Sequence, residues 1–179
     1  IELTVSSLEA GESNFHVEYP DQEGVSGTSF SYSTTIANNT LNTQNYNFSS
    51  SAPAGWTVAF SSSSTQVSSL EIESGSSASV TITVTPPEKV EAGDYQIDCA
   101  ATSAREQLST ALNVKILGTY AMELSTSDGR LSFDAYAQQE SDVTLKLTNS
   151  GNIALENISL SASAPTGWEV AFYTSVIET

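Results

Sequence analysis

Ser51-Ala52-Pro53-Ala54-Gly55-Trp56-Thr57-Val58-Ala59-Phe60 returns, nearly unchanged, as Ser163-Ala164-Pro165-Thr166-Gly167-Trp168-Glu169-Val170-Ala171-Phe172. The tryptophans stand 112 residues apart (168 − 56). That period is too long for a solenoid unit and suits a tandem array of β-sandwich domains. Within each copy Pro and Gly reset the backbone, and the apolar residues after them alternate. Trp56, Val58 and Phe60 therefore predict one face of a strand, as do Trp168, Val170 and Phe172. An aromatic at the same place in both copies is what a shared core requires, so both tryptophans are expected in the core, not as sugar-stacking platforms.

Upstream of the first copy, Phe30, Tyr32, Thr34 and Ile36 alternate up to the turn formers Asn38-Asn39-Thr40, and Tyr46 and Phe48 follow at the same period. Ile1, Leu3 and Val5 predict an opening strand, and Phe15-His16-Val17-Glu18-Tyr19 a second short one stopped by Pro20. Downstream, a Ser61–Ser64 loop leads to Leu70 and Ile72, then Ser74-Gly75, then a strong strand with Val80, Ile82 and Val84 facing one way. Pro86-Pro87 halts it. Gly93 opens the next strand, with Tyr95, Ile97 and Cys99 on one face, and Leu108, Leu112, Val114 and Ile116 belong to the last. About seven or eight short strands with turn chemistry between them predict an all-β, immunoglobulin-like sandwich.

Leu117-Gly118-Thr119 is the whole connection to a second copy, so residues 1–117 are expected as a complete domain and 118–179 as the N-terminal part of another. Tyr120, Met122 and Leu124 repeat the opening strand, and Asp128-Gly129 makes a turn before Leu131 and Phe133. Val143, Leu145 and Leu147 match Tyr32, Thr34 and Ile36, and Ile158 and Leu160 match Tyr46 and Phe48. Nothing in 118–179 corresponds to Leu70–Ile116, so this second copy is truncated. Half a sandwich exposes an apolar face and open strand edges. Residues 120–179 are expected to borrow strands from another chain, pack against a neighbour, or belong to a longer array.

Five Lys plus Arg against 21 Asp plus Glu give a formal net charge of −16, which disfavours nucleic acid and anionic lipid as partners. The acidity serves solubility, with cation recruitment as the alternative. With 39% hydrophobic and 15% charged residues, the polar remainder is Ser, Thr, Asn and Gln, the chemistry of strands and turns. One cysteine, Cys99, allows no disulfide within the chain. The start at Ile1 reads as a piece of a larger or processed protein, any signal or anchor lying outside it.

Ala52-Pro53-x-Gly55-Trp56-x-Val58, Gly75 followed by Val80-Thr81-Ile82-Thr83-Val84-Thr85-Pro86-Pro87, and Ala92-Gly93-Asp94-Tyr95 together resemble the NEW3 domain. Tyr19-Pro20 and Asn149-x-Gly151-Asn152 fit the same pattern. The resemblance implies immunoglobulin-like modules found beside sugar-binding modules in some α-galactosidases and as arrays in bacterial exported or membrane-anchored proteins. It brings no catalytic residue. The second copy departs from the pattern by lacking the Pro-Pro and Gly-Asp-Tyr segments.

Other candidates are weaker. Tyr95 resembles a tyrosine corner, whose hydroxyl bonds back to loop backbone. Cys99 is expected as a small buried apolar group without a partner for nucleophilic work. His16, the one histidine, has no neighbouring ligands or relay residues. Glu9, Glu12, Glu18, Asp21 and Glu23 could gather calcium, but their spacing fits no known loop and solvated carboxylates are the plainer reading. Asn38-Asn39-Thr40, Asn47-Phe48-Ser49 and Asn157-Ile158-Ser159 satisfy the N-glycosylation pattern. No catalytic, metal or cofactor site is expected, and the ligand-binding residues stay open.

The functional expectation is a non-catalytic, extracytoplasmic spacer or interaction module of a larger bacterial surface or secreted protein. Its partners would be other domains of the same polypeptide or surface proteins, or a second copy meeting the incomplete second domain. The alternative is a carbohydrate-binding accessory module of a glycoside hydrolase; a hydrolase domain would need a carboxylate pair joined across loops.

Overall fold

The computed structural model describes residues 11–130 and 132–173. The expected Ile1–Val5 strand, Leu131 and Glu9 lie outside the described residues. The chain divides into two compact units, Ile1–Leu117 and Gly118–Thr179.

Unit 1 contains β1 (Asn14–Val17), β2 (Asp21–Gly24), β3 (Phe30–Asn38), β4 (Gln44–Ser51), β5 (Thr57–Ser62), β6 (Thr65–Gln66), β7 (Ser69–Ile72), β8 (Ser76–Thr85), β9 (Gly93–Thr102) and β10 (Gln107–Ile116). They form two five-stranded sheets, ordered β1-β3-β8-β5-β6 and β2-β10-β9-β4-β7. This is the all-β, immunoglobulin-like sandwich, without a helix among the described residues. Each inner face results from strict alternation. Phe30, Tyr32, Thr34 and Ile36 of β3 lie beside Val80, Ile82 and Val84 of β8; Ile97, Cys99 and Ala101 of β9 and Leu112, Val114 and Ile116 of β10 line the other sheet. One cluster joins them, and Trp56 and Phe60 belong to it. Val58 and Tyr95 are half-buried against that cluster, not within it.

Pro20 has a topological effect. β1 pairs antiparallel with β3, but after Tyr19-Pro20 the chain changes sheets and β2 pairs parallel with β10. Proline cannot donate to a ladder, so the break between sheets falls where a donor is missing anyway.

Unit 2 contains β11 (Met122–Thr126) and β12 (Leu145–Asn149), paired antiparallel. Its register reproduces part of unit 1: Phe15 is opposite Ile36, and Leu124 is opposite Leu147. Since Leu147 matches Ile36, β11 pairs as β1 does; the expected match of Tyr120, Met122 and Leu124 to Ile1, Leu3 and Val5 lies outside the described residues.

The other strands expected here, around Phe133, Ile158–Leu160 and Trp168–Phe172, do not form. Trp168, Val170 and Phe172, expected in the core, are instead exposed, Trp168 at 57% against 9% for Trp56. The cause is missing partners. In unit 1 β5 pairs with β8, and β4 with β7 and β9. Residues 118–179 contain no counterpart of β7–β10, so these segments have no strand to pair with and no opposing face to pack on.

Gly151 holds the turn after β12 against the start of β11. The Gly151 amide donates to the Ala121 carbonyl at 3.2 Å and to Asn149 Oδ1 at 3.0 Å. A Cβ there would overlap the Thr119 carbonyl oxygen and come within 2.8 Å of the Ala121 nitrogen, and this is backbone that cannot swing aside. Gly151→Ala is therefore expected to cost the turn about 1–3 kcal/mol, the usual penalty of forced overlap. Amide exchange at Ser150 and Asn152 checks this; unchanged rates would refute it.

Candidate functional site

The repeated Pro-x-Gly-Trp stretch forms the same turn twice. The Trp56 amide donates to the Pro53 carbonyl at 3.2 Å and the Trp168 amide to the Pro165 carbonyl at 3.1 Å, with φ of 83° at Gly55 and 89° at Gly167. A hydrogen-bonded turn with positive φ at its third residue is type II, which favours glycine there. Beyond the turn the two copies differ. The Trp56 ring lies 5.0 Å from the Tyr95 ring, tilted by 40°, and Phe60 stacks on Phe48 at 5.1 Å. Among the described residues of unit 2, no aromatic pair covers Trp168.

The Tyr95 hydroxyl donates to the Glu91 carbonyl at 2.9 Å, so the residue that covers Trp56 is itself tied back to its own loop. That is the bond of a tyrosine corner. Cys99 is buried on the same strand, and burial, helped by the nearby Asp98 charge, pushes its thiol up to about 12. A thiol that stays protonated and covered is not a nucleophile.

Two other buried groups hold their protons as tightly. Burial, assisted by Asp21, raises Tyr32 to about 12, and its hydroxyl donates to the Asn113 carbonyl across the sandwich at 2.9 Å. Burial, then the 2.5 Å hydrogen bond from its hydroxyl to Glu106 Oε1, raises Tyr46 to about 12. Their ordinary values are 9.0 for the thiol and 10.0 for the phenols. Between those values and about 12 the folded chain binds more protons than the unfolded one, so stability is complete below pH 9 and falls as pH rises. Urea midpoints are expected to be flat from pH 7 to 9 and then to decline; a midpoint that holds to pH 12 would contradict these assignments.

The acidic group is not brought together. Glu18 is at the end of β1, its amide bonded to the Ser33 carbonyl of one sheet, whereas Asp21 and Glu23 lie on β2 in the other. Asp21 Oδ1 instead accepts from Asn113 Nδ2 at 2.7 Å. His16 is exposed on β1, over a shallow hollow of about 320 Å³ lined with Ser33, Thr35, Ser79 and Thr81. A second hollow on the opposite sheet is lined by Asp94, Gln96, Asn113 and Lys115. The first hollow is thus rich in hydroxyls, and the second in amides and charged groups.

Of the three glycosylation patterns, Asn38 is fully buried and Asn47 and Asn157 are exposed. Asn38 is the structural residue that reading the sequence missed. Its Nδ2 donates to the carbonyls of Asn42, Ile72 and Glu73 at 2.9, 2.8 and 3.2 Å, and its Oδ1 accepts from the Thr40 amide and hydroxyl. The signal was available, since Asn38 and Asn149 align across the repeat. Asn149 makes the same local turn, with Nδ2 to the Ile153 carbonyl at 2.8 Å and Oδ1 to the Gly151 amide.

The family model described as the NPCBM-associated, NEW3 domain of alpha-galactosidase matches residues 25–103 and 135–179. The chain belongs to the NEW3 family. NEW3 modules are accessory domains, not catalytic ones, and are associated with glycoside hydrolases. The second matched stretch begins within unit 2 and reaches residue 179, so both copies carry the NEW3 pattern. No curated protein matches the chain.

Among solved structures, the NEW3 chain is similar to a family 123 glycoside hydrolase from Clostridium perfringens, at 15% identity and a TM-score of 0.45, covering 54% of this chain and 22% of that one. It is also similar to a FixG-related protein from Vibrio parahaemolyticus (10% identity, TM-score 0.45, covering 61% of this chain and 98% of that one). A third is the secreted serine protease VesC from Vibrio cholerae (15%, TM-score 0.41, covering 64% and 24%).

Proposed function

We propose that this NEW3 chain is a non-catalytic, extracytoplasmic spacer and interaction module of a larger bacterial surface or secreted protein. The observation that carries the reading is the fate of the repeated tryptophan. In the closed copy its indole lies in the core under Tyr95, so the repeat encodes a sandwich and leaves no exposed aromatic platform at that position. Residues 1–117 serve as the complete domain and 118–179 as the N-terminal part of a second. The polar outer faces of unit 1 suit a solvated spacer.

Partners are other domains of the same polypeptide or surface proteins. They meet unit 2, where Trp168, Val170, Phe172 and Tyr173 are exposed. Large apolar side chains exposed this close together in sequence suit a surface that a partner covers.

A glycan panel read by tryptophan emission separates the spacer from the carbohydrate-binding alternative. No saturable quenching is expected; saturable quenching of an accessible tryptophan, Trp168 included, would overturn the spacer reading. Sedimentation at low concentration tests the role of unit 2, and a protease-resistant monomer with Trp168 shielded would exclude it.

A further inference from the structure

The strand pair β2–β10 is the one parallel pairing among the described strands of unit 1. It joins the part of the domain nearest its N-terminal side to the strand that leaves for Leu117. Asp21 is opposite Asn113 and Gly24 is opposite Ile116. Backbone bonds close both ends: the Asn113 amide donates to the Pro20 carbonyl and the Leu117 amide to the Gly24 carbonyl, each at 2.8 Å.

Tension along the polypeptide pulls β2 backwards from Asp21 and β10 forwards from Ile116. In a parallel pair those pulls slide the strands along their length, so every bond between them is loaded at once. In an antiparallel terminal pair the same pulls would open the bonds singly, from one end. We infer that β2–β10 is a mechanical clamp, which makes unit 1 resist extension along the chain.

Side chains brace this pair to the rest of the sandwich. Asn113 Nδ2 bonds Asp21 Oδ1 at 2.7 Å directly across it. Gln22 Nε2 donates to the Ser31 carbonyl at 2.8 Å, tying β2 to β3 of the opposite sheet, and the Tyr32 hydroxyl donates to the Asn113 carbonyl at 2.9 Å, tying β10 to the same strand. With β10 held to β3 by the Tyr32 bond, sliding β2 past β10 must break the main-chain ladder together with the Asn113–Asp21 and Gln22–Ser31 bonds. β1, on β3, comes before β2 along the chain and takes the load ahead of it, so a change confined to β2 is what isolates the clamp. The inference rests on the spacer reading for its use, since a spacer is the part of an assembly that bears tension.

Single-molecule extension of the full chain tests it in two loading geometries. In one, tension enters at both chain ends. In the other it enters at a thiol placed by Thr28→Cys, Cys99 being buried, and at the C-terminal end. Gly24 and Ile116 are neighbours and Phe30 comes after a short loop, so Thr28 and Leu117 lie at one end of the sandwich. The second geometry bypasses β2 and peels β10 from its end. The force that unfolds unit 1 is expected to fall by about half or more in the second geometry, because bonds then break in sequence and not together.

Gln22→Pro, which removes a ladder donor and the Ser31 bond, is expected to lower the end-to-end force and leave the peeling force unchanged. Equal forces in the two geometries would overturn the clamp, as would an end-to-end force that Gln22→Pro leaves intact. A glycan bound by a chain that still resists end-to-end extension would defeat the spacer reading and leave the clamp standing.

Discussion

Replacing Asn38 by leucine is expected to cost unit 1 roughly 3–4 kcal/mol, the combined effect of a buried carbonyl left without its donor and several further bonds lost. The side chain is fully buried and joins two turns: the β3–β4 turn through Asn42 and Thr40, and the β7–β8 turn through the carbonyls of Ile72 and Glu73. β7 and β8 belong to different sheets, so one amide holds the sandwich together at that end. Leucine fills the volume and satisfies none of these groups. Urea unfolding of Trp168→Phe chains, whose emission comes from Trp56, measures the loss. Asn149→Leu is expected to leave that midpoint in place and to speed exchange only at the Gly151 amide, because the described bonds of the Asn149 side chain stay within its own turn. Equal effects at the two asparagines would show that the cross-sheet bonds contribute nothing.

The second large effect separates the two tryptophans. Trp56→Ala removes a core ring packed on Tyr95 and is expected to cost about 3–5 kcal/mol, the range for truncating a buried aromatic. Trp168→Ala is expected to change stability by no more than about 0.5 kcal/mol, as surface substitutions do. Emission makes the same division. The Trp168→Phe chain should emit to the blue and resist acrylamide, whereas the Trp56→Phe chain should emit to the red and be quenched readily. Equal quenching of the two would mean that unit 2 covers its tryptophan after all, by self-association or otherwise, and dilution would tell which.

The repeat shows which features are legible in a sequence. The sandwich strands of unit 1 were readable because each has its own alternation, from Phe30–Ile36 to Leu112–Ile116, and alternation is a property of a strand alone. The strand switch at Pro20 was readable only as a stop. Which sheet receives β2 depends on β10, far along the chain, and so does the parallel pairing that makes the clamp. Asn38 was read as a turn former, which it is. Its larger role lay in carbonyls of Ile72 and Glu73 that no local pattern connects to it. The acidic group looked collective in sequence and was divided by that same switch.

The Pro-x-Gly-Trp stretch draws the boundary between the two kinds of information most sharply. Its turn is determined by the sequence alone: Gly supplies the positive φ at the third position and one bond to the Pro carbonyl closes it, so it forms at Gly55 and at Gly167 alike. The repeat and the family are likewise properties of residue order, readable without knowing which segments meet. Whether the next residues become a strand, and whether the tryptophan is buried, only the tertiary structure decided. A strand edge and an apolar face gain stability from groups distant in sequence, and β8 and Tyr95 supply them to Trp56 while residues 118–179 hold no counterpart for Trp168.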